Sequence, residues 1–165
     1  MRVEDFTPSE VNYLHKRFKT FYFNCHENSF DYFYKKFKEF RKNIVLELNY
    51  NNIIENKTEP NKAGGFCIDL AHFTAARDLK KIEYDYVMNH AKNTKFHANH
   101  LNGYSKKRKR DLHFITNKNQ FDFLKNLPKQ IFSTDIALEL ENKIETQLKF
   151  KKYIATMLNK KFNIK

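Results

Sequence analysis

Cys67 follows a glycine pair in the segment Ala63-Gly64-Gly65-Phe66-Cys67-Ile68-Asp69-Leu70-Ala71-His72-Phe73-Thr74-Ala75-Ala76-Arg77, which stands out in a chain holding only three Gly. A glycine turn followed by small residues predicts a cysteine delivered to the first turn of a closely packed helix. There the unpaired N–H groups and the helix dipole favour thiolate over thiol, the requirement for a nucleophile. A thiolate nucleophile needs a base and a group to orient that base. His72 comes five residues later, about 140° round such a helix, so it does not face the same cleft. His72 and Asp69 are therefore expected to support the site from behind. Of the seven His, His113 lies in a strand-like pattern with a carboxylate, Asp122, across the turn-prone Asn117-Lys118-Asn119. His113 is the expected base and Asp122 its orienting partner.

The elements that must position these groups follow from spacing. Thr7-Pro8-Ser9-Glu10 is a capping box with Pro at the first helical position. Val11, Leu14, Phe18, Phe21 and Tyr22 continue from it at helical steps. Asn28 and Asp31 open a second helix carrying Phe30, Phe33, Tyr34, Phe37, Phe40 and Ile44, which runs to about Leu48. Residues 49–65 hold many Asn and read as a long loop. Helical spacing resumes from Phe66 to about Asn93. Leu112, Phe114, Phe121 and Phe123 predict a β-hairpin. Ser133-Thr134-Asp135 caps a last helix through Ile136, Leu140, Ile144, Leu148, Ile154 and Leu158. One domain of 165 residues is expected, with a helical pair at 1–48, a catalytic core at 61–125 and a terminal helix at 133–162.

Gly65-x-Cys67-x-Asp69-Leu70-Ala71-His72 resembles the nucleophile segment of transglutaminase-like and papain-like cysteine enzymes over about fifteen residues. The resemblance implies an α+β fold in which a central nucleophile helix packs on a small antiparallel sheet. It also implies a Cys67–His113–Asp122 triad, with Asn61 donating to the oxyanion beside the Cys67 N–H. The chemistry implied is acyl transfer on a protein or peptide substrate by a peptidase, amidase, deamidase or cross-linking transferase. No cofactor and no metal are expected.

Two rival constellations remain. His90, His97 and His100, with Asp85, have the residue types of a metal site, and His97 or His100 is an alternative base for Cys67. Lys106, Lys107, Arg108, Lys109 and Arg110 form a basic run suited to phosphate backbones or acidic surfaces, and Arg108-x4-His113 has the spacing of HEPN-type ribonucleases. A basic, mainly helical nucleic-acid-binding protein is therefore the alternative to the cysteine enzyme.

The charge of +12 suits an anionic partner, although Lys outnumbers Arg 25 to 6 in a composition of AT-rich bias. Two cysteines are too few for a disulfide scaffold, and both are expected reduced. No apolar run is long enough to span a membrane and no secretory signal opens the chain. The expected location is the cytoplasm, or outside the cell as an effector or toxin exported without a Sec signal.

Overall fold

The computed structural model describes residues 6–48, 62–94 and 96–164. The first helix, α1 (Pro8–Phe18), starts as its residues require. Glu10 N–H donates to the Thr7 hydroxyl oxygen, and the Glu10 carboxylate returns to the Thr7 N–H at 2.7 Å.

After α1 the chain winds a parallel sheet from β1 (Phe23–His26), β2 (Ile44–Glu47), β3 (Phe66–Asp69), β4 (Phe96–Leu101) and β7 (Ile136–Leu138). The spatial order is the sequence order, and every pairing is parallel. The connections carry α2 (Phe30–Lys36), α3 (Leu70–Asp78) and α4 (Ile82–His90). Before β7 come a hairpin, β5 (Gly103–Ser105) with β6 (Arg110–Leu112), and a 3-10 helix at Lys118–Asn126. The chain closes with α5 (Ile144–Phe162).

This is an α/β fold, which corrects the expected α+β architecture on a small antiparallel sheet. Leu112 to Phe123 is not a hairpin: Leu112 ends β6, and Phe121 and Phe123 lie on the 3-10 helix. The second predicted helix stops at Lys36, continues as a 3-10 helix over Lys38–Asn43, and ends in β2. Asp69 accepts from the N–H groups of Ala71 and His72, so the helix expected from Phe66 begins only after this cap, at Leu70.

Strand alternation separates two faces of the sheet. The apolar face holds Cys25, Ile44, Leu46, Phe66, Ile68 and Leu101 in the main core, joined by Phe121, Leu124, Ile131 and Ile154. The register sets His26 beside Glu47, Glu47 beside Cys67, and Asp69 beside His100, all on the opposite face.

The Gly64-Gly65 turn forms as expected. Gly64 N–H donates to the Ile44 carbonyl at 2.6 Å, and a Cβ at Gly64 would run into the Lys42 carbonyl. Gly65 has φ 137, which glycine adopts without strain.

Candidate metal centre

Three strands of the parallel sheet end in ionisable residues. His26 closes β1, Glu47 closes β2 and Asp69 closes β3; His100 stands one residue before the end of β4, and Glu139 follows β7. All five therefore lie at the carboxyl edge, where open parallel sheets bind ligands. The sheet register carries these polar groups together on the face away from the main core.

A carboxylate oxygen of Glu47, the Cys67 sulfur and a ring nitrogen of His100 lie within 4.8 Å of one another. His100 Nδ1 is 3.2 Å from Glu47 Oε1 and 3.8 Å from Glu139 Oε2. Ligands held at about 2.1 Å from a tetrahedral ion stand roughly 3.4 Å apart, so the spacing fits a single cation. The carboxylate, imidazole and sulfur set suits a borderline-soft divalent ion of the zinc type. Asn24 Nδ2 donates to the other Glu47 oxygen and orients the carboxylate.

A second group adjoins the first. Asp111 Oδ2 stands 3.1 Å from His113 Nε2 and 3.7 Å from His72 Nε2. His72 comes from the first turn of α3, while Asp111 comes from β6 and His113 follows it. Glu139 links the two groups, because its side chain faces His100 and its carbonyl lies 3.2 Å from His113 Nδ1. Asp69 feels the charges of His72, Glu47 and Glu139. Its Oδ1 accepts from two α3 N–H groups at 2.9 Å, and its Oδ2 accepts from Asn102 Nδ2 at 2.9 Å.

Burial and mutual charge tune the cluster. Burial pushes the Asp69 carboxyl up to about 6. Burial also opposes ionisation of Glu47, but the hydrogen bond and charge of His100, the charge of His26 and the hydrogen bond from the Asn24 amide hold it below the usual carboxylate range. Hydrogen bonds to Cys67 and Glu47 push His100 up to about 11. Burial drives the Cys67 thiol above its ordinary range despite the hydrogen bond and charge of His100, which favours the protonated thiol.

These contacts re-sort the residues expected from sequence. Cys67 lies within β3, 1% exposed, rather than at a helix mouth. Its hydrogen-bonded imidazole is that of His100, the alternative base, whereas His113 pairs with Asp111. Asp122 lies on the 3-10 helix, where its carboxylate accepts from Tyr153 at 2.6 Å and pairs with Lys125 at 2.9 Å. Asn61 lies outside the described residues. Asp69 and His72 do support the cluster, Asp69 by capping α3 and His72 by facing Asp111. Of the histidines considered for a metal, His90 bonds the Tyr86 carbonyl and His97 the Gly64 carbonyl, so His100 alone joins the cluster.

The basic run forms the exposed end of the β5–β6 hairpin, with Lys109 in the left-handed region at φ 48. The same hairpin carries Asp111, two residues from the turn. Sequence reasoning missed Glu47 and Glu139, although each follows an apolar pair, Val45-Leu46 and Ala137-Leu138.

The fold and site together define an α/β protein with carboxylate, imidazole and thiol side chains gathered at the carboxyl edge of a singly wound parallel sheet. Comparison with protein-family models, curated proteins and solved structures finds no match. Among the described residues no helix is long and apolar enough to cross a membrane.

Proposed function

We propose that the protein is a divalent-metal-dependent hydrolase of phosphoesters, with nucleic acid as its substrate class. The observation that carries this reading is the convergence of Glu47, Cys67, His100 and Glu139 beside the His72–Asp111–His113 group. Glu47 and His100, with Cys67 or Glu139 completing the set, would hold the ion. A bound divalent ion supplies a water acidic enough to ionise near neutrality and neutralises charge on phosphate oxygens. Glu139, half exposed at the rim, can accept a proton from an attacking water. The exposed Lys106 to Arg110 turn attracts the polyanion, and its hairpin leads to Asp111 and His113.

The test is hydrolysis of bis(p-nitrophenyl) phosphate and of a labelled oligonucleotide by metal-stripped protein, with Zn²⁺, Mn²⁺ or Mg²⁺ restored singly. Turnover should need an added ion and should disappear in His100→Ala. Activity that survives chelation, or no activity with any ion, overturns the reading. Neutralising Lys106 to Arg110 should weaken oligonucleotide binding and flatten its salt dependence.

A second reading keeps the cysteine chemistry, because Cys67, His100 and Glu47 form a hydrogen-bonded chain of Cys–His–carboxylate type. The buried, protonated thiol weighs against it. In the native protein Cys67 and Cys25 should both alkylate with iodoacetamide at least about tenfold more slowly than free cysteine at pH 7, and at ordinary rates once unfolded. Cys25 is held back further, its thiol pushed up to about 12 by burial and the charges of Glu47 and Glu27. Rapid, selective alkylation of Cys67 with loss of activity in metal-free buffer would favour the cysteine enzyme.

The raised His100 also sets a pH dependence. In the metal-free protein its contribution to stability is fully present below pH 6.5 and is lost as pH climbs toward about 11. Asp69, also raised, costs stability as pH rises from 3.8 to about 6. A cation must displace the His100 proton, and the Cys67 proton as well where the sulfur is a ligand. Zn²⁺ affinity should therefore rise at least about tenfold per pH unit between about pH 6 and 8, read by competition with a chelating dye. A pH-independent affinity would remove His100 from the ligand set.

A further inference from the structure

The opposite edge of the sheet holds a cavity of about 880 Å³, built where the chain enters its strands. Tyr22 precedes β1, Lys42 and Asn43 precede β2, Gly64 and Gly65 precede β3, and His97 is the second residue of β4. The carboxylate cluster lies at the other end of the same strands, so the cavity is separate from the metal centre and owes nothing to its residues.

Charge and rings together define what the cavity suits. Lys38, Arg41, Lys42 and Lys62 line it against one carboxylate, Glu39. Tyr22 stacks on His97 with ring centroids 4.1 Å apart and an interplanar angle of 25°. His97 is fixed by a 2.8 Å hydrogen bond from Nε2 to the Gly64 carbonyl. Arg41 is fixed likewise: its guanidinium lies 4.2 Å from the Tyr34 ring centroid and its Nε donates to the Tyr34 carbonyl at 2.8 Å. Lysines alone would define a solvated basic surface. Here they share a ligand-sized cavity with a held guanidinium and a stacked aromatic pair, which is 40% exposed at Tyr22.

We propose that this cavity binds a nucleoside polyphosphate, with the base stacking on the Tyr22–His97 pair and the phosphates lying among Lys38, Arg41, Lys42 and Lys62. Stacking takes any planar base, while clustered cations take the phosphate chain. The volume lies within the range of small-molecule sites. Such a site, at the far edge from the catalytic cluster, would let a free nucleotide bind while the carboxyl edge remains open to substrate.

Isothermal titration with ATP, inorganic tripolyphosphate and adenosine, all in EDTA to keep phosphate from metal, separates the two components. ATP should bind more tightly than tripolyphosphate, and adenosine most weakly. The double substitution Lys38→Glu with Lys42→Glu should weaken ATP at least tenfold. Tyr22→Ala should weaken ATP several-fold and leave tripolyphosphate unchanged. Glu47→Gln, at the opposite edge, should bind ATP as the parent does. Circular dichroism of each variant establishes that it is folded, and Lys38→Gln with Lys42→Gln serves if charge reversal disturbs the fold. No ATP binding by the parent protein, or binding indifferent to the lysine substitutions, overturns the proposal. Equal binding of ATP and tripolyphosphate with no effect of Tyr22→Ala overturns it too, leaving a bare phosphate site.

Discussion

Glu47→Gln is expected to lower metal-dependent turnover at least about 100-fold, since even residues that only orient metal ligands are worth 10- to 100-fold. The substitution preserves volume at a position 5% exposed, so the sheet should remain intact. It removes the negative charge that faces His100 Nδ1 at 3.2 Å. The amide must also choose between two neighbours, because Asn24 donates to one Glu47 oxygen and His100 faces the other. An amide offers one acceptor and one donor, so its oxygen cannot serve both Asn24 and a protonated His100. Two measurements follow the same cause. Zn²⁺ affinity should fall with turnover, and the His100 imidazole, followed by NMR in metal-free protein, should titrate at a lower pH than in the parent, because one of the two hydrogen bonds that raise it is withdrawn. Unchanged affinity and an unmoved His100 would show that Glu47 is a structural partner only.

Why the cluster was hard to read before folding follows from the strands that build it. They are three to six residues long, and the central pair β2 and β3 is buried on both faces, so period-two alternation is weak there. Phe37, Phe40 and Ile44 keep the helical step, and it carries the eye past Lys36, where α2 ends, into β2. Helix α1 was legible because its signal is local, four residues from Thr7 to Glu10. The last helix was legible in its apolar stripe but not at its start, for Ile136–Leu138 belongs to an edge strand and the helix opens at Ile144.

Cys67 drew attention for a sound reason, the glycine turn before it, yet the chain leaves that turn as a strand because the first residue able to cap a helix is Asp69. The clue that survives folding is a recurrence. Asn24-Cys25-His26, Val45-Leu46-Glu47, Cys67-Ile68-Asp69 and Ala137-Leu138-Glu139 each end in a residue able to ligate a metal, and parallel winding places all four endings on one edge. Spacing within one segment cannot show this, since the partners are brought together by sheet order rather than by nearness along the chain.

Asn99 should prove the most sensitive polar position for stability. It lies on β4, fully buried, on the face of the sheet that carries Ile68 and Leu101. Its two amide protons go to the Ile68 carbonyl at 3.1 Å and the Ile131 carbonyl at 3.0 Å, and its oxygen accepts from the Ser133 N–H at 2.7 Å. The side chain thus ties β3 to the segment that enters β7, and β7 in turn presents Glu139 to His100. Asn99→Leu keeps similar bulk but withdraws the partner of two buried carbonyls and of the half-buried Ser133 N–H, each buried group costing about 1–3 kcal/mol when left unmade. Partial relaxation and entry of water bring the expected loss to about 3–5 kcal/mol, a fall in Tm of roughly 10 °C for a chain of this size. Asn99→Asp should be worse, because it turns a carboxylate toward two carbonyl oxygens in a site without solvent. Chemical denaturation measures the loss, and Zn²⁺ affinity of the folded fraction should fall as Glu139 loses its anchor. A loss below about 1 kcal/mol, with metal affinity intact, would mean that the entry to β7 is held elsewhere.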